Sequence, residues 1–307
     1  MAAPERLSGL LAPVCTPFRE DLSPDPERLV NHCRWLLSQN AGLAVFGTNS
    51  EANSLSVDEK IDLLDYLVDN GIDTARMMPG TGHCALTDTV RLTAHAVNLG
   101  CAGALMLPPF YYKDVGGDGL FSSFAEVIER VGNDQLRIYL YHIPPIAQVG
   151  ISPRLVERLV KTYPETIVGI KDSSGDWSNT DALHRLGLDD FRVFAGSESF
   201  LLQNMSAGGA GCISATANIN PAAIRALYEN WQSDQANTMQ AELNAVREIV
   251  QKYPIIPALK AAIADFSNDS RWQIVRPPLL ALPDDQQTRL LAELRQQNFD
   301  MPGLLVG

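Results

Sequence analysis

The stretch Val168–Gly175 reads VGIKDSSG and places a single lysine, Lys171, at the end of an apolar segment. Apolar and β-branched residues followed at once by a polar turn containing glycine predict a short buried strand that ends at this lysine. A protein interior disfavours the charged form of a lysine, and a neutral amine is the nucleophile that forms a Schiff base with a carbonyl compound. By itself the stretch is equally consistent with a surface lysine that follows a strand.

Strand-like and helix-like segments alternate on both sides of the lysine strand. The other predicted strands cover residues 10–15, 42–46, 75–78, 103–107, 137–141, 191–195 and 211–214. Helix signals stand between them, such as Pro26 at a first helical position and the capping box formed by Ser56 and Glu59. Eight short strands that each precede a helix predict a (β/α)8 TIM barrel with additional C-terminal helices.

The chain has 307 residues, of which 46% are hydrophobic, and no linker-like segment interrupts it. We therefore expect a single domain over residues 1–307, with the barrel over about 1–225 and a helical extension over about 226–307. A doubly wound open sheet is the alternative, and it favours a Gly-x-Gly-x-x-Gly turn after the first strand. Thr16, Pro17 and Phe18 stand there instead, which favours the barrel.

The composition excludes several classes of protein. The formal net charge is -12 and there is no run of Lys or Arg, which argues against binding to nucleic acid or to an anionic membrane. The five cysteines are scattered and the five histidines lack metal-ligand spacing, so we expect reduced thiols and neither a metal nor a cofactor. We find no signal-peptide pattern and no apolar run long enough for a membrane span, which predicts a cytoplasmic protein.

Polar side chains follow most of the predicted strands. In chain order they are Thr48, Asn49, Tyr111, Tyr141, His142, Lys171, Ser197, Glu198 and Ser214. In a barrel of this kind the C-terminal ends of the strands meet at one mouth, where active sites lie. A lysine nucleophile, tyrosines that carry a proton and a threonine that passes it on form a coherent site for carbonyl chemistry.

Each of these candidates also has a structural explanation. Thr48 fits a turn, Tyr111 fits packing at a loop, and His142 fits a polar side chain with satisfied hydrogen bonds. Asp172 alternates to the strand face opposite Lys171, which favours a structural role for its carboxylate.

Five motifs occur in an order that is typical of one known family. They are residues 47–51 (GTNSE), 109–112 (PFYY), 139–144 (YLYHIP), 168–172 (VGIKD) and 211–218 (GCISATAN). Together they resemble the dihydrodipicolinate synthase/N-acetylneuraminate lyase family, whose members are pyruvate-dependent class I aldolases. The resemblance covers nearly the whole chain.

The resemblance implies a role for four of the candidates. Lys171 would form a Schiff base with the keto carbon of pyruvate, or of a 2-oxo acid to be cleaved. Tyr141 would be the proton donor and acceptor, with Thr48 and Tyr111 as its relay. The family's counterpart of Tyr111 enters the site of a neighbouring subunit, so the resemblance implies a homotetramer or a homodimer.

The resemblance also implies how the substrate is bound. The backbone N–H groups of Thr48 and Asn49 would hold the pyruvate carboxylate, an arrangement that suits an anion. Ile213 would line the same pocket.

Several positions depart from the family pattern. Asn49 replaces a threonine, Ser50 replaces a glycine, and His142 replaces an asparagine. Ile146 stands where the synthases have an arginine that holds the carboxylate of the aldehyde substrate. With Glu198 and His142 as further substrate-binding candidates, the distal pocket would offer hydrogen-bond partners without a fixed positive charge, which disfavours aspartate semialdehyde.

The sequence therefore predicts a lyase or aldolase that cleaves or forms a 2-oxo acid with pyruvate as one component, and not a true dihydrodipicolinate synthase. A hydroxylated 2-oxo acid, such as a 2-keto-3-deoxy sugar acid, is the expected substrate. One alternative is a 2-keto-3-deoxy sugar-acid dehydratase that uses the same lysine. Another is a barrel that binds a keto acid without turnover, against which the intact set of Lys171, Tyr141 and Thr48 argues.

Overall fold

The computed structural model describes residues 5–304. The strands within that range are β1 (Gly9–Ala12), β2 (Gly42–Leu43), β3 (Ala104–Met106), β4 (Ile138–His142), β5 (Ile167–Asp172), β6 (Arg192–Ala195) and β7 (Gly211–Ile213). The α-helices are α1 (Pro26–Ser38), α2 (Val57–Asp69), α3 (Leu86–Asn98), α4 (Gly117–Val131), α5 (Pro144–Ala147), α6 (Pro153–Thr162), α7 (Trp177–His184), α8 (Leu201–Ser206), α9 (Pro221–Glu229), α10 (Ala236–Val250), α11 (Ile255–Ser267) and α12 (Asp284–Gln296).

The described chain divides into two compact units. The first, here called the lysine unit, comprises residues 5–9 and Asp73–Ile213. The second, here called the loop unit, comprises Leu10–Ile72 and residues 214–304. The expected single domain over residues 1–307, with a helical extension from about 226, stays a prediction.

The lysine unit is built on a parallel sheet in which β3, β4, β5, β6 and β7 are neighbours in that order. Lys171 pairs through its Cα with Tyr141 on one side and with Phe194 on the other, so β5 is the central strand of the five. Parallel strands covered on both faces read as apolar runs, and every residue of β5 is buried.

One face of this sheet packs against helices. Leu140, Ile170 and Val193 belong to a core that also contains Phe124 of α4 and Leu155 of α6. Side chains cap two of the helices on this sheet: at α6 the Ser152 hydroxyl accepts the N–H of Leu155 at 3.3 Å, and at α7 the Asp176 carboxylate accepts the N–H of Ser178. These caps fix where α6 and α7 start along the sheet.

The loop unit begins with the parallel pair β1 and β2, in which Leu11 lies opposite Gly42. Helix α2 starts with the predicted capping box, because Ser56 and Glu59 each accept the backbone N–H of the other. Helix α11 is buried along most of its length, and its buried residues include one lysine, Lys260.

The predicted third strand, at residues 75–78, is wrong. Thr74–Arg76 is a 3-10 turn that starts at Asp73, whose carboxylate accepts the N–H of Ala75 at 3.0 Å. In the described chain, strand pairing in this region is limited to isolated bridge residues at Met77 and Gly80, and Gly80 pairs with Leu105. The Asp73 side chain draws the backbone into a turn, which the apolar pattern alone does not reveal.

The described chain is thus a parallel α/β structure, and α10, α11 and α12 provide the predicted C-terminal helices. Closure into an eight-stranded barrel stays a prediction. Between residues 5 and 304 no helix is both long enough and apolar enough to cross a bilayer. A cytoplasmic location also stays a prediction.

Candidate active site

The site is centred on Lys171 and Tyr141, which lie side by side on neighbouring strands. The Nζ of Lys171 is 3.3 Å from the Oη of Tyr141 and 4.3 Å from the centre of its ring. Both side chains are buried, with exposed fractions of 2% and 3%. Since residues 141 and 171 are direct Cα partners, the register of β4 and β5 brings these two groups together.

The Lys171 amine differs from that of the buried Lys260 because it has no acidic partner among the described residues. Among residues 5–304, Lys171 forms no ion pair, and its hydrogen-bond partner is the Tyr141 hydroxyl. Lys260, which is equally buried, forms an ion pair with Glu51. The Lys171 amine is therefore available to attack a carbonyl carbon, whereas the Lys260 amine is held by a carboxylate.

The two tyrosines of β4 have different environments. The hydroxyl of Tyr139 accepts the N–H of Leu7 at 2.7 Å, and burial raises the pKa of Tyr139 to about 12. Its ring packs over Gly169, where an added Cβ would lie 2.6 Å from the ring. Tyr139 therefore has a structural role, and Tyr141 is the tyrosine that contacts the lysine.

The residues that follow Tyr141 and Lys171 point to the opposite face of the sheet, because side chains alternate along a strand. The carboxylate of Asp172 accepts hydrogen bonds from the N–H of Ser174 and from the side chains of Asn179 and Thr180, at 2.9, 2.9 and 2.7 Å. Asp172 thus contacts α7, as its alternation predicts.

His142 is anchored in a similar way. Its Nδ1 accepts the N–H of Ile151 at 2.9 Å, so the proton of the neutral ring lies on Nε2. Burial lowers the pKa of His142, and the nearby Asp172 carboxylate opposes that change. The substrate-binding role of His142 stays a prediction, and this geometry favours a structural role.

In the loop unit, Thr48 and Asn49 are half-buried and begin the 3-10 turn Thr48–Ser50. The Ser50 hydroxyl accepts the N–H of Gly47 at 3.1 Å, and its carbonyl accepts the hydroxyl of Thr16 at 2.7 Å. Ser50, which departs from the family pattern, therefore stabilises the turn through its own side chain.

A buried ion pair closes this loop, and the sequence reasoning missed it. Glu51 binds the Nζ of Lys260 through one carboxylate oxygen and accepts the N–H of Arg276 at 2.9 Å through the other. Lys260 also donates to the carbonyl of Ile274 at 2.8 Å. Burial lowers the pKa of Lys260, and Glu51 opposes that change. A lysine within the apolar segment IIPALKAAIADF was the available signal.

Comparison with known proteins places the chain in a family. The profile of the dihydrodipicolinate synthetase family matches residues 6–297. This chain belongs to the dihydrodipicolinate synthetase family. Its members are lyases, and the chain is accordingly an enzyme of the class I aldolase type, as the sequence predicts.

Individual relatives are similar to this chain over nearly its whole length. An uncharacterized DapA-like lyase of Chloroflexus aurantiacus is 33% identical over 290 residues, which are 92% of this chain and 95% of the relative. The crystal structure of dihydrodipicolinate synthase from Agrobacterium tumefaciens is 30% identical, with a TM-score of 0.88 over 94% of this chain and 99% of that one. YagE from E. coli K12, solved with pyruvate, is 24% identical and shares the fold, with a TM-score of 0.86 over 95% of this chain and 99% of that one.

Tyr111 of this family member lies on the surface of its own chain. Its side chain is 75% exposed and meets the ring of Tyr112 edge to face, with the ring centres 5.5 Å apart. Lys113 joins the loop to α5 by donating to the carbonyls of Phe110 and Ala147. The part of Tyr111 in a proton relay stays a prediction.

The remaining predicted site residues are placed as follows. Ile146 lies on α5 and is 62% exposed. Glu198 starts the 3-10 turn Glu198–Phe200 and is buried, and Ile213 is buried at the end of β7. Their contacts with substrate stay predictions. Within the described residues there is no cluster of three acidic, histidine or cysteine side chains that could hold a metal.

Proposed function

We propose that this enzyme forms a Schiff base at Lys171 and cleaves or forms a 2-oxo acid that has pyruvate as one component. The observation that carries this proposal is the buried Lys171 amine, which has no carboxylate partner among the described residues and lies 3.3 Å from the Tyr141 hydroxyl. A nucleophile and a proton carrier within hydrogen-bond distance are what Schiff-base chemistry requires.

The chemistry follows from that pair. The Lys171 amine attacks the keto carbon of the 2-oxo acid, and loss of the keto oxygen as water gives an iminium ion. The iminium accepts the electron pair of the bond between the third and fourth carbons as the aldehyde leaves. Tyr141 takes the proton from the hydroxyl on the fourth carbon and returns a proton to the third. Hydrolysis of the remaining imine then releases pyruvate and the free amine.

Other assignments in this proposal rest on the family resemblance. The backbone N–H groups of Thr48 and Asn49 bind the carboxylate of the substrate, and Ile213 lines the pocket. Thr48 and Tyr111 carry the proton to and from Tyr141. The parallel strands alternating with helices, together with the family membership, support closure of the fold into a (β/α)8 barrel.

We also infer that the enzyme is a homotetramer or a homodimer in which Tyr111 acts in a neighbouring subunit. The support is its exposure of 75%, since a phenol in a proton relay should be covered in the working enzyme. Mixing Tyr111→Phe chains with Lys171→Ala chains tests this, because subunit exchange would then create some sites that carry neither change. No recovery of activity despite proven exchange would contradict it.

The substrate proposed is a hydroxylated 2-oxo acid such as a 2-keto-3-deoxy sugar acid. Its support is Ile146, an exposed apolar residue of α5 that lies four positions after the end of β4. An aldehyde that carries its own carboxylate would find no cation at this position. A site that hydrogen-bonds hydroxyl groups also discriminates against substrates that lack them.

The test is incubation of the enzyme with a panel of 2-oxo acids, and with pyruvate plus candidate aldehydes, read by mass spectrometry. The proposal predicts release of pyruvate, or a condensation product whose mass is the sum of its two components. Loss of a single water from a sugar acid would show a dehydratase instead. Binding of a keto acid with neither product would show a barrel without turnover.

A further inference from the structure

We propose that Asp172 is a positioning residue, which holds the end of β5 so that the Lys171 amine stays against the Tyr141 hydroxyl. The proposal rests on the proposed function, because it gives Asp172 a part in Schiff-base formation. Asp172 follows Lys171 directly, and its side chain points to the helix face of the sheet. It therefore acts on the lysine through the backbone and has no contact with the reacting atoms.

The first support is how the Asp172 carboxylate is satisfied. It is buried, and between residues 5 and 304 it forms no ion pair. Three neutral donors, Ser174 N–H, Asn179 Nδ2 and Thr180 Oγ1, bind its two oxygens instead. A buried carboxylate is costly unless its hydrogen bonds are complete. Three donors from one turn and one helix meet that need, so the carboxylate joins β5 firmly to the start of α7.

The second support comes from the backbone at the same point. The carbonyl of Asp172 accepts the N–H of Gly196, and the carbonyl of His142 accepts the N–H of Ser173, both at 2.7 Å. An added Cβ at Gly196 would lie 2.6 Å from that Asp172 carbonyl, so the two backbones are in close contact. Residues 172 and 173 are thus attached to β4, β6 and α7 at once.

The Lys171 side chain has no comparable support. Its hydrogen-bond partner in the described chain is the Tyr141 hydroxyl. The position of its amine consequently depends on where the backbone at the end of β5 is held. A displacement of about 1 Å at a reacting group can lower a rate by about a hundredfold.

The neighbouring strand repeats the arrangement. His142 follows Tyr141 as Asp172 follows Lys171, and the two residues are direct Cα partners. The His142 ring is attached on the helix face to the N–H of Ile151. Each residue that carries chemistry is therefore followed by a residue whose side chain is anchored on the other face.

The experiment follows borohydride trapping of pyruvate on the purified enzyme at several pyruvate concentrations. It gives two quantities, the maximum trapping rate and the pyruvate concentration at which the rate is half of that maximum. In Asp172→Ala we expect the maximum rate to fall about tenfold or more, since the amine is misplaced. The half-saturating pyruvate concentration should change less than about threefold. Thr180→Val, which removes one of the three donors, should show a smaller fall, and it serves as the test if Asp172→Ala does not fold.

Asp176→Ala is the matched control. Asp176 lies in the same turn and caps α7 through Ser178, with distances of 2.9 Å to its N–H and hydroxyl, and these bonds do not reach the strand. The maximum trapping rate of the Asp176→Ala enzyme should stay within about twofold of the wild-type rate. The proposal would be overturned if folded Asp172→Ala or Thr180→Val enzyme kept the wild-type maximum trapping rate. It would also be overturned if the maximum rate fell as much in Asp176→Ala as in Asp172→Ala. Failure of the proposed function looks different, because wild type itself would then form no adduct on Lys171.

Discussion

The Nζ of Lys171 lies 3.3 Å from the Oη of Tyr141, and each belongs to a side chain that is at least 97% buried. A hydroxyl at that distance can exchange a proton with the amine or with an intermediate bound to it. The strand register sets this contact, because the two residues are Cα partners in β4 and β5.

Tyr141→Phe should lower kcat by about a hundredfold or more, in the range that general acid–base catalysis contributes. The ring stays in place, so trapping of pyruvate on Lys171 should persist at a reduced rate. Steady-state kinetics with the substrate found in the panel, together with the trapping assay, measure both effects. A kcat equal to that of wild type would mean that the proton travels by another route. Tyr139→Phe is the control, and we expect its kcat to change far less.

Lys260→Met should destabilise the enzyme by about 3–5 kcal/mol, because it leaves the buried carboxylate of Glu51 without its cation. Lys171→Met should change the free energy of unfolding by less than about 1 kcal/mol, since no carboxylate depends on Lys171. Urea denaturation of the two variants gives the comparison. Glu51→Gln added to Lys260→Met should recover part of the loss. An equal loss of unfolding free energy in Lys260→Met and Lys171→Met would show that Glu51 does not depend on Lys260 in the way proposed.

Ile146→Arg should shift selectivity toward aspartate semialdehyde, because it adds a cation for the aldehyde's carboxylate. The measurement is kcat/KM for aspartate semialdehyde and for a neutral hydroxyaldehyde, each with pyruvate, in wild type and variant. Wild type should prefer the hydroxyaldehyde. A wild-type preference for the semialdehyde, or an unchanged ratio in the variant, would show that Ile146 does not set the substrate. Ile146→Leu controls for the loss of the isoleucine itself.

Acid should destabilise the loop unit through His32. Burial lowers the pKa of His32 to about 4, although its hydrogen bond with Asn218 opposes that change. Since the unfolded chain binds this proton near pH 6.5, the stability due to neutral His32 is complete above that pH and is lost as the pH falls toward 4. The loss amounts to roughly 3 kcal/mol. Denaturation at several pH values measures the free energy of unfolding, which should fall less steeply between pH 6.5 and 4 in His32→Gln than in wild type. The same pH dependence in both proteins would show that His32 is not the group responsible.

Much of the site could be predicted from sequence because its signals are local. Lys171 and Tyr141 each stand next to last in a buried strand, and strand alternation places Asp172 on the opposite face. The third predicted strand failed where a local cap at Asp73 drew the backbone into a 3-10 turn. The pairing of Glu51 with Lys260 joins residues more than two hundred positions apart, so no local pattern could specify it.

The buried lysines show a second limit of the local sequence signals. Burial of a lysine does not by itself indicate a reactive amine, because Lys60 and Lys260 are buried as well. Lys171 differs from Lys260 in its partner, which is the Tyr141 hydroxyl and not a carboxylate, and these partners are brought together by the fold. Strand position is the feature of the sequence that favours Lys171 as the candidate nucleophile.

The Schiff base at Lys171 is tested most directly by incubating the enzyme with pyruvate and borohydride and locating the adduct by peptide mass spectrometry. The proposed mechanism predicts one reduced pyruvate adduct per chain, on Lys171, with none on the equally buried Lys60 and Lys260 and none at all in Lys171→Ala. An adduct on a different lysine, or no adduct at saturating pyruvate, would contradict it.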